Sequence, residues 1–167
     1  MDFLMTARRQ MLAGQKHDAR QRLLASFDGL TEEQLLQPGA CGQWSVRDVL
    51  AHIAAWDRAT TEALRAMLAG QRHPLLDMDV DGVQAFNEEH HLATAHVPLS
   101  EVVNELHASR EELLALLREV DNATLFAPAP GDEHADSSMA AIVQVQSDHD
   151  QEHAEMIEQW RETGTGG

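Results

Sequence analysis

The stretch Ile142-Val143-Gln144-Val145-Gln146-Ser147-Asp148-His149-Asp150-Gln151-Glu152-His153-Ala154-Glu155-Met156-Ile157-Glu158-Gln159-Trp160 decides how the chain is read. Ile142, Gln146, His149, His153, Met156 and Trp160 recur at helical spacing and predict one inward stripe on a helix from about Met139 to Arg161. Two positions where a bundle normally carries leucine hold histidine instead. Residues four apart on a helix share a face, with Cβ atoms roughly 5–6 Å apart. That spacing lets two imidazoles grip one metal ion. In a chain with ten histidines a lone His-x3-His is a common accident. The inward placement sets this pair apart, because buried imidazoles need polar partners and a shared ion satisfies both.

Working outward, the same pattern predicts three more long helices. The first spans about Asp2 to Phe27 and ends at Asp28-Gly29. Thr31-Glu32-Glu33-Gln34 reads as a capping box that starts only a short turn before Pro38-Gly39. Ser45 caps a second long helix running to about Ala69, with Asp48 in its positive first turn. Its stripe is Val46, Val49, Leu50, Ile53, Trp56, Thr60, Leu64 and Met67, and His52 lies on the edge of it. A loop from Gln71 to Asp79 leads to a shorter helix, Asp81 to about Thr94. Ser100 is the expected cap of the next, Glu101 to Val120, whose stripe of Val103, Leu106, Arg110, Leu113, Leu117 and Val120 is apolar except for Arg110. Pro128, Pro130 and Gly131 mark Asp121 to Asp136 as a loop, with Asp136 or Ser137 capping the last helix. No strand-like alternation competes with this reading. The expected fold is an all-α four-helix bundle, one domain over residues 1–162 with a frayed tail at 163–167. The connection of about thirty residues between the second and third long helices is long enough to cross the bundle.

Composition excludes several functions. Twenty-eight acidic against twelve basic side chains give a formal net charge of −16. Nucleic-acid affinity rests on Lys and Arg meeting phosphates, and this chain has one lysine, Lys16, so no nucleic-acid partner is expected. No apolar run is long enough to cross a membrane. The start, Met1-Asp2-Phe3-Leu4-Met5, lacks the basic segment and apolar run of a secretory signal, so a cytoplasmic location is expected. Cys41 stands alone, with no basic residue beside it to make it reactive.

Three imidazoles make a good divalent-metal site, suited to zinc, nickel, iron or copper and open to water or substrate. His149 and His153 supply two, and His52 is the preferred third. Of the acids around the pair, Asp148 and Glu155 lie well round the helix, and Asp150 reads with them as a surface residue. Glu152 is the best placed to act as general base or to orient a ligand. His90-His91 offers an alternative ring if the short helix caps the bundle. His17, His96, His107 and His134 read as solvent-exposed. Trp56 reads first as core and second as a substrate platform.

The run Gly42-Gln43-Trp44-Ser45-Val46-Arg47-Asp48-Val49-Leu50-Ala51-His52-Ile53-Ala54-Ala55-Trp56-Asp57 resembles the DinB/YfiT-like superfamily of metalloenzymes. That family carries a tryptophan, a hydroxyl residue, two free positions, an acid, two aliphatic residues, a free position and a histidine, here His52. Its second signature, a late His-x3-His, is matched by His149 and His153. Val83-Gln84-Ala85-Phe86-Asn87-Glu88-Glu89 is similar to a Phe-Asn-acid stretch of the ClbS/DfsB and mycothiol-dependent branches, which brings in Asn87 as a substrate-side residue. The resemblance implies an up-down-down-up bundle with an extra short helix, and zinc, nickel or iron held by three histidines at one end. It also implies a homodimer, and chemistry with low-molecular-weight thiols or, in the colibactin-resistance branch, hydrolysis of a strained ring.

The expected function is therefore a metal-dependent hydrolase or thiol S-transferase acting on a small electrophilic substrate. The competing class is a non-catalytic bundle that sequesters a metal or a small molecule.

Overall fold

Helix-forming residues up to Asp28-Gly29 build α1, Asp2–Phe27, in the computed structural model, which describes residues 2–133 and 137–164. Thr31 opens the short α2, Glu32–Leu36, with a full capping box: its hydroxyl accepts from the Gln34 backbone N–H, and the Gln34 side chain accepts from the Thr31 N–H. Ser45 and Asp48 repeat the device at the start of α3, Val46–Leu68. Between these helices the structure departs from expectation. Pro38–Cys41 (β1) and Trp44–Ser45 (β2) pair as a small antiparallel hairpin. Gly42 turns it with a φ of 59°, the conformation a two-residue hairpin loop needs at its first position. Strands this short carry no readable alternation; turn chemistry makes them.

The expected loop after α3 contains one 3-10 turn, Pro74–Asp77, and α4 follows at Val80–Thr94. Helix α5, Leu99–Glu119, starts earlier than expected: Pro98 stands at its N-cap without a side-chain bond, so Ser100 is not the cap. Its buried stripe is Val102, Leu106, Ser109, Arg110 and Leu113. Val103 and Leu117 are only partly covered, because the helix turns Arg110 onto carboxylates in the bundle interior. The segment expected as loop from Asp121 holds α6, Asn122–Phe126, capped by the Asp121 carboxylate. Its chain leaves the helix at Ala127, just ahead of Pro128 and Pro130. Helix α7 runs Met139–Gly164, so Thr163 and Gly164 belong to the helix. Asp136 lies outside the described residues. The Ser137 hydroxyl accepts from the Ala129 N–H, and it is Ser138 that accepts from the Ala141 N–H at the start of α7.

Side-chain bridges fix the directions. Arg22 of α1 reaches Glu155 and Glu158 of α7, and Arg161 of α7 reaches the Ser26 and Asp28 carbonyls, so α1 and α7 run parallel. Arg58 of α3 pairs with Glu105 and Glu112 of α5, and Arg65 with Glu112, so α3 and α5 also run parallel. The two pairs oppose each other, with His52 of α3 meeting α7 near His153 and Leu64 packing in the same cluster as Met139. The result is an all-α up-down-down-up bundle whose crossover carries α4.

Two apolar layers hold it together. One joins Leu23, Val49, Leu50, Ile53, Leu106 and Ile157; the other joins Leu64, Met67, Leu113, Met139 and Val143. Each fully buried leucine or isoleucine contributes about 1.5–3 kcal/mol. Between the layers, at the middle of all four long helices, lies a polar layer of Lys16, Arg20, Asp57, Thr60, Arg110, Ser147 and Asp150, all buried. Among the described residues no helix is long and apolar enough to cross a membrane.

Candidate metal centre

Helix α3 begins with the Ser45 and Asp48 amides donating to each other's side chains, and His52 faces inward two turns later. His52 is buried rather than on an edge. His149 and His153 sit one turn apart on α7, partly and fully buried respectively. Their Nε2 atoms converge: His52 to His149 is 2.8 Å and His153 to His149 is 3.0 Å. The rings meet nearly edge to face, with centroids 4.8, 5.0 and 4.5 Å apart. The structure thus brings together the three histidines that the sequence singled out.

This arrangement fits a divalent ion. Imidazoles sharing one ion at about 2.0–2.1 Å place their nitrogens about 2.9–3.3 Å apart, close to both separations. Without a cation the cluster is poorly satisfied. Among the described residues the Nδ1 atom of each ring is buried without a hydrogen-bond partner, so hydrogens placed on Nε2 leave three bare acceptors inside. Hydrogens placed on Nδ1 leave three lone pairs facing one another. A cation at the convergence removes that repulsion. Ligating histidines usually donate their far nitrogen to a carboxylate or carbonyl; here ring packing holds them. Trp44 lies 5.0 Å from His52 and Trp56 lies 6.3 Å from it, centroid to centroid.

Protonation is strongly disfavoured at the cluster. Burial drives the His52 imidazole from 6.5 down to about 2, with His149, His153 and His90 adding repulsion. Burial likewise lowers His153 to about 4, helped by His149 and opposed by Asp150. His149 is lowered by burial, against the pull of Asp150 and Asp57. All three present neutral nitrogen, the form that ligates.

The cluster forms one wall of a cavity of about 750 Å³. Trp56 and Asn87 line it and are bonded to each other, the indole Nε1 donating to Asn87 Oδ1 at 2.9 Å. Trp56 is therefore half core and half cavity wall. Glu152 is at the rim and exposed, and Asp148 is exposed beside it. Glu155 is exposed and paired with Arg22. Asp150 overturns the surface reading: it is 0% exposed and bonded to Arg20 and Arg110. Met156, expected inside, is 41% exposed, its sulfur 3.3 Å from Cys41 Sγ at the cavity mouth. Burial pushes the Cys41 thiol up, away from reactivity. His90 stays outside the centre, bonded to the Phe86 carbonyl, and His91 stacks on Trp44. His17, His96 and His107 are exposed, and His134 lies outside the described residues. The residue missed from sequence is Trp44: hairpin pairing swings its ring over His52, and its only sequence signal was its place at the head of the α3 signature.

The sequence profile of the DinB superfamily matches residues 15–157. Among solved structures, "Sibling Lethal Factor Precursor - DfsB" superposes with a TM-score of 0.79 at 16% identity, covering 95% of this chain and 97% of that one. An uncharacterised protein from Escherichia coli UTI89 superposes with a TM-score of 0.75 at 12% identity, covering 90% of this chain and 91% of that one. At these identities the likeness shows the fold alone. No curated protein sequence matches this chain.

Proposed function

This chain belongs to the DinB superfamily, and from that premise we propose that it is a metal-dependent enzyme acting on a small electrophile, as a hydrolase or a low-molecular-weight-thiol S-transferase. The observation that carries the reading is the convergence of three neutral Nε2 atoms on the wall of a cavity large enough for a small organic substrate. His52, His149 and His153 would hold the ion, of the zinc, nickel or iron class. When bound, a divalent ion supplies Lewis acidity that brings the pKa of water or a thiol toward neutrality.

The remaining work falls to the chain's own groups. Glu152 holds a carboxylate at the cavity rim, where it accepts a proton from the nucleophile. The Trp56 indole, pinned by Asn87, offers a flat wall for the substrate, and the Asn87 amide nitrogen is left to bind it. Trp44 and Trp56 keep water from the inner side of the rings. A homodimer belongs to the same proposal and is read by light scattering.

The first test is elemental analysis of untagged protein, then turnover of a panel of electrophiles with and without low-molecular-weight thiols. One ion per chain, and turnover lost in His149→Ala, is the expected result. No stoichiometric metal even after reconstitution would sink it.

The exposure of Glu152 favours a second reading, a bundle that sequesters a metal or small molecule without transforming it. Tight stoichiometric metal with no turnover of any electrophile would select that reading.

A further inference from the structure

The polar layer between the two cores holds three cationic side chains, Lys16, Arg20 and Arg110, against two carboxylates, Asp57 and Asp150. One positive charge is left over. The four-residue network of arginines and aspartates closes on itself, with Arg110 spending Nε and Nη2 on the carboxylates. Among the described residues its Nη1 is buried with no partner, and so are Lys16 Nζ and Thr60 Oγ1. Lys16 is 3% exposed, Arg110 5% and Thr60 0%.

These three atoms belong to neighbouring positions. Lys16 lies one turn before Arg20 on α1, and Thr60 one turn after Asp57 on α3. The two helices are antiparallel, so both residues are displaced toward the same end of the bundle. After burial itself, the influence that acts most strongly on the Lys16 ammonium is the Arg110 guanidinium, ahead of either carboxylate. Two cations thus share one buried layer with unspent N–H groups. Other hydroxyls of the layer are committed to backbone carbonyls: Thr61 donates to Asp57, Ser109 to Leu106 and Ser147 to Val143. Buried donors without partners are rare in folded proteins.

We infer that Lys16 Nζ, Arg110 Nη1 and Thr60 Oγ1 form an internal binding site for one small monovalent anion of the halide class. Two of the three unspent atoms carry positive charge and the third is a hydroxyl able to donate, so the set, drawn from three helices, selects an anion over a cation. A single negative charge also balances the layer. Burial and Arg110 together lower Lys16 to about 7, which is the strain an anion relieves.

The test uses the full chain at fixed ionic strength while gluconate is replaced by bromide. The thermal midpoint should rise by on the order of 2–4 °C at several times the dissociation constant, and Lys16→Met should abolish the rise. Crystals of the unaltered protein grown with bromide should show an anomalous peak between Lys16, Thr60 and Arg110, which keeps the test valid if the variant folds poorly. An absent peak would overturn the site, and so would a rise that Lys16→Met retains, since that marks surface binding. A deprotonated Lys16 needing no counter-ion would give neither the peak nor the rise.

Discussion

Asp57 of α3 and Asp150 of α7 are held by the same two guanidiniums. Arg20 donates to them at 3.1 and 3.0 Å, and Arg110 at 2.9 and 3.0 Å. Asp57 lies five residues after His52, and Asp150 directly follows His149. The bidentate network therefore fixes the register of α3 against α7, and with it the spacing of the histidines on the two helices. Burial alone would push the Asp150 carboxyl up, but the Arg20 and Arg110 guanidiniums hold it below its usual range.

Breaking one member leaves an uncompensated buried charge. Asp150→Ala should lower unfolding stability by about 3–5 kcal/mol, measured by urea denaturation. A loss no larger than that of an exposed pair such as Arg22–Glu155 would show that the network adds nothing.

His149 Nε2 takes part in both short imidazole contacts. His149→Ala should weaken metal binding by more than the roughly 10–100-fold typical of losing a group that only orients a ligand, and by more than His52→Ala does. Titration calorimetry on metal-stripped protein reads the order directly. Equal, small losses at both positions would remove His149 from the centre of the site.

The histidines predict an acid-sensitive metal-free fold. Above pH 6.5 these imidazoles are neutral both folded and unfolded, so they add no pH dependence. Below it the unfolded chain takes up protons that the folded chain refuses, His153 until about 4 and His52 until about 2. Stability must therefore fall as pH drops from 6.5 toward 4. Denaturant midpoints across that window test the sign, and His52→Gln should flatten the slope.

Ser45 supports His52 from a distance. Its hydroxyl accepts from the Asp48 N–H and donates to the Asp48 carboxylate. Ser45→Ala should cost about 0.5–2 kcal/mol in thermal unfolding while leaving metal stoichiometry intact. Loss of the metal with unchanged stability would contradict this division of roles.

Much of this was legible in sequence because helical periodicity and capping are local. The ends of α1 and α3 follow from Asp28-Gly29 and Ser45, and the inward pair on α7 from its stripe. What escaped was set by distant partners. Asp150 reads as one more acid among many until Arg20, 130 positions away, is placed beside it. Trp44 reaches His52 only through a hairpin too short to show a pattern. Arg110 was visible as the one charge in an apolar stripe, but its meaning lay on α3 and α7. The short α6 hid because two prolines beyond it suggested loop throughout.

The parallel pairing of α1 with α7 has a consequence for how the chain comes into being. His52 leaves the ribosome 97 positions ahead of His149, and α3 can settle against α5 well before α7 exists. Contacts of such long sequence separation form late and slowly. Completion of the imidazole cluster therefore coincides with closure of the bundle by its last long helix. Capture of an ion by the cluster would then be a timestamp on folding: a chain stalled before α7 carries His52 but has nothing to share it with.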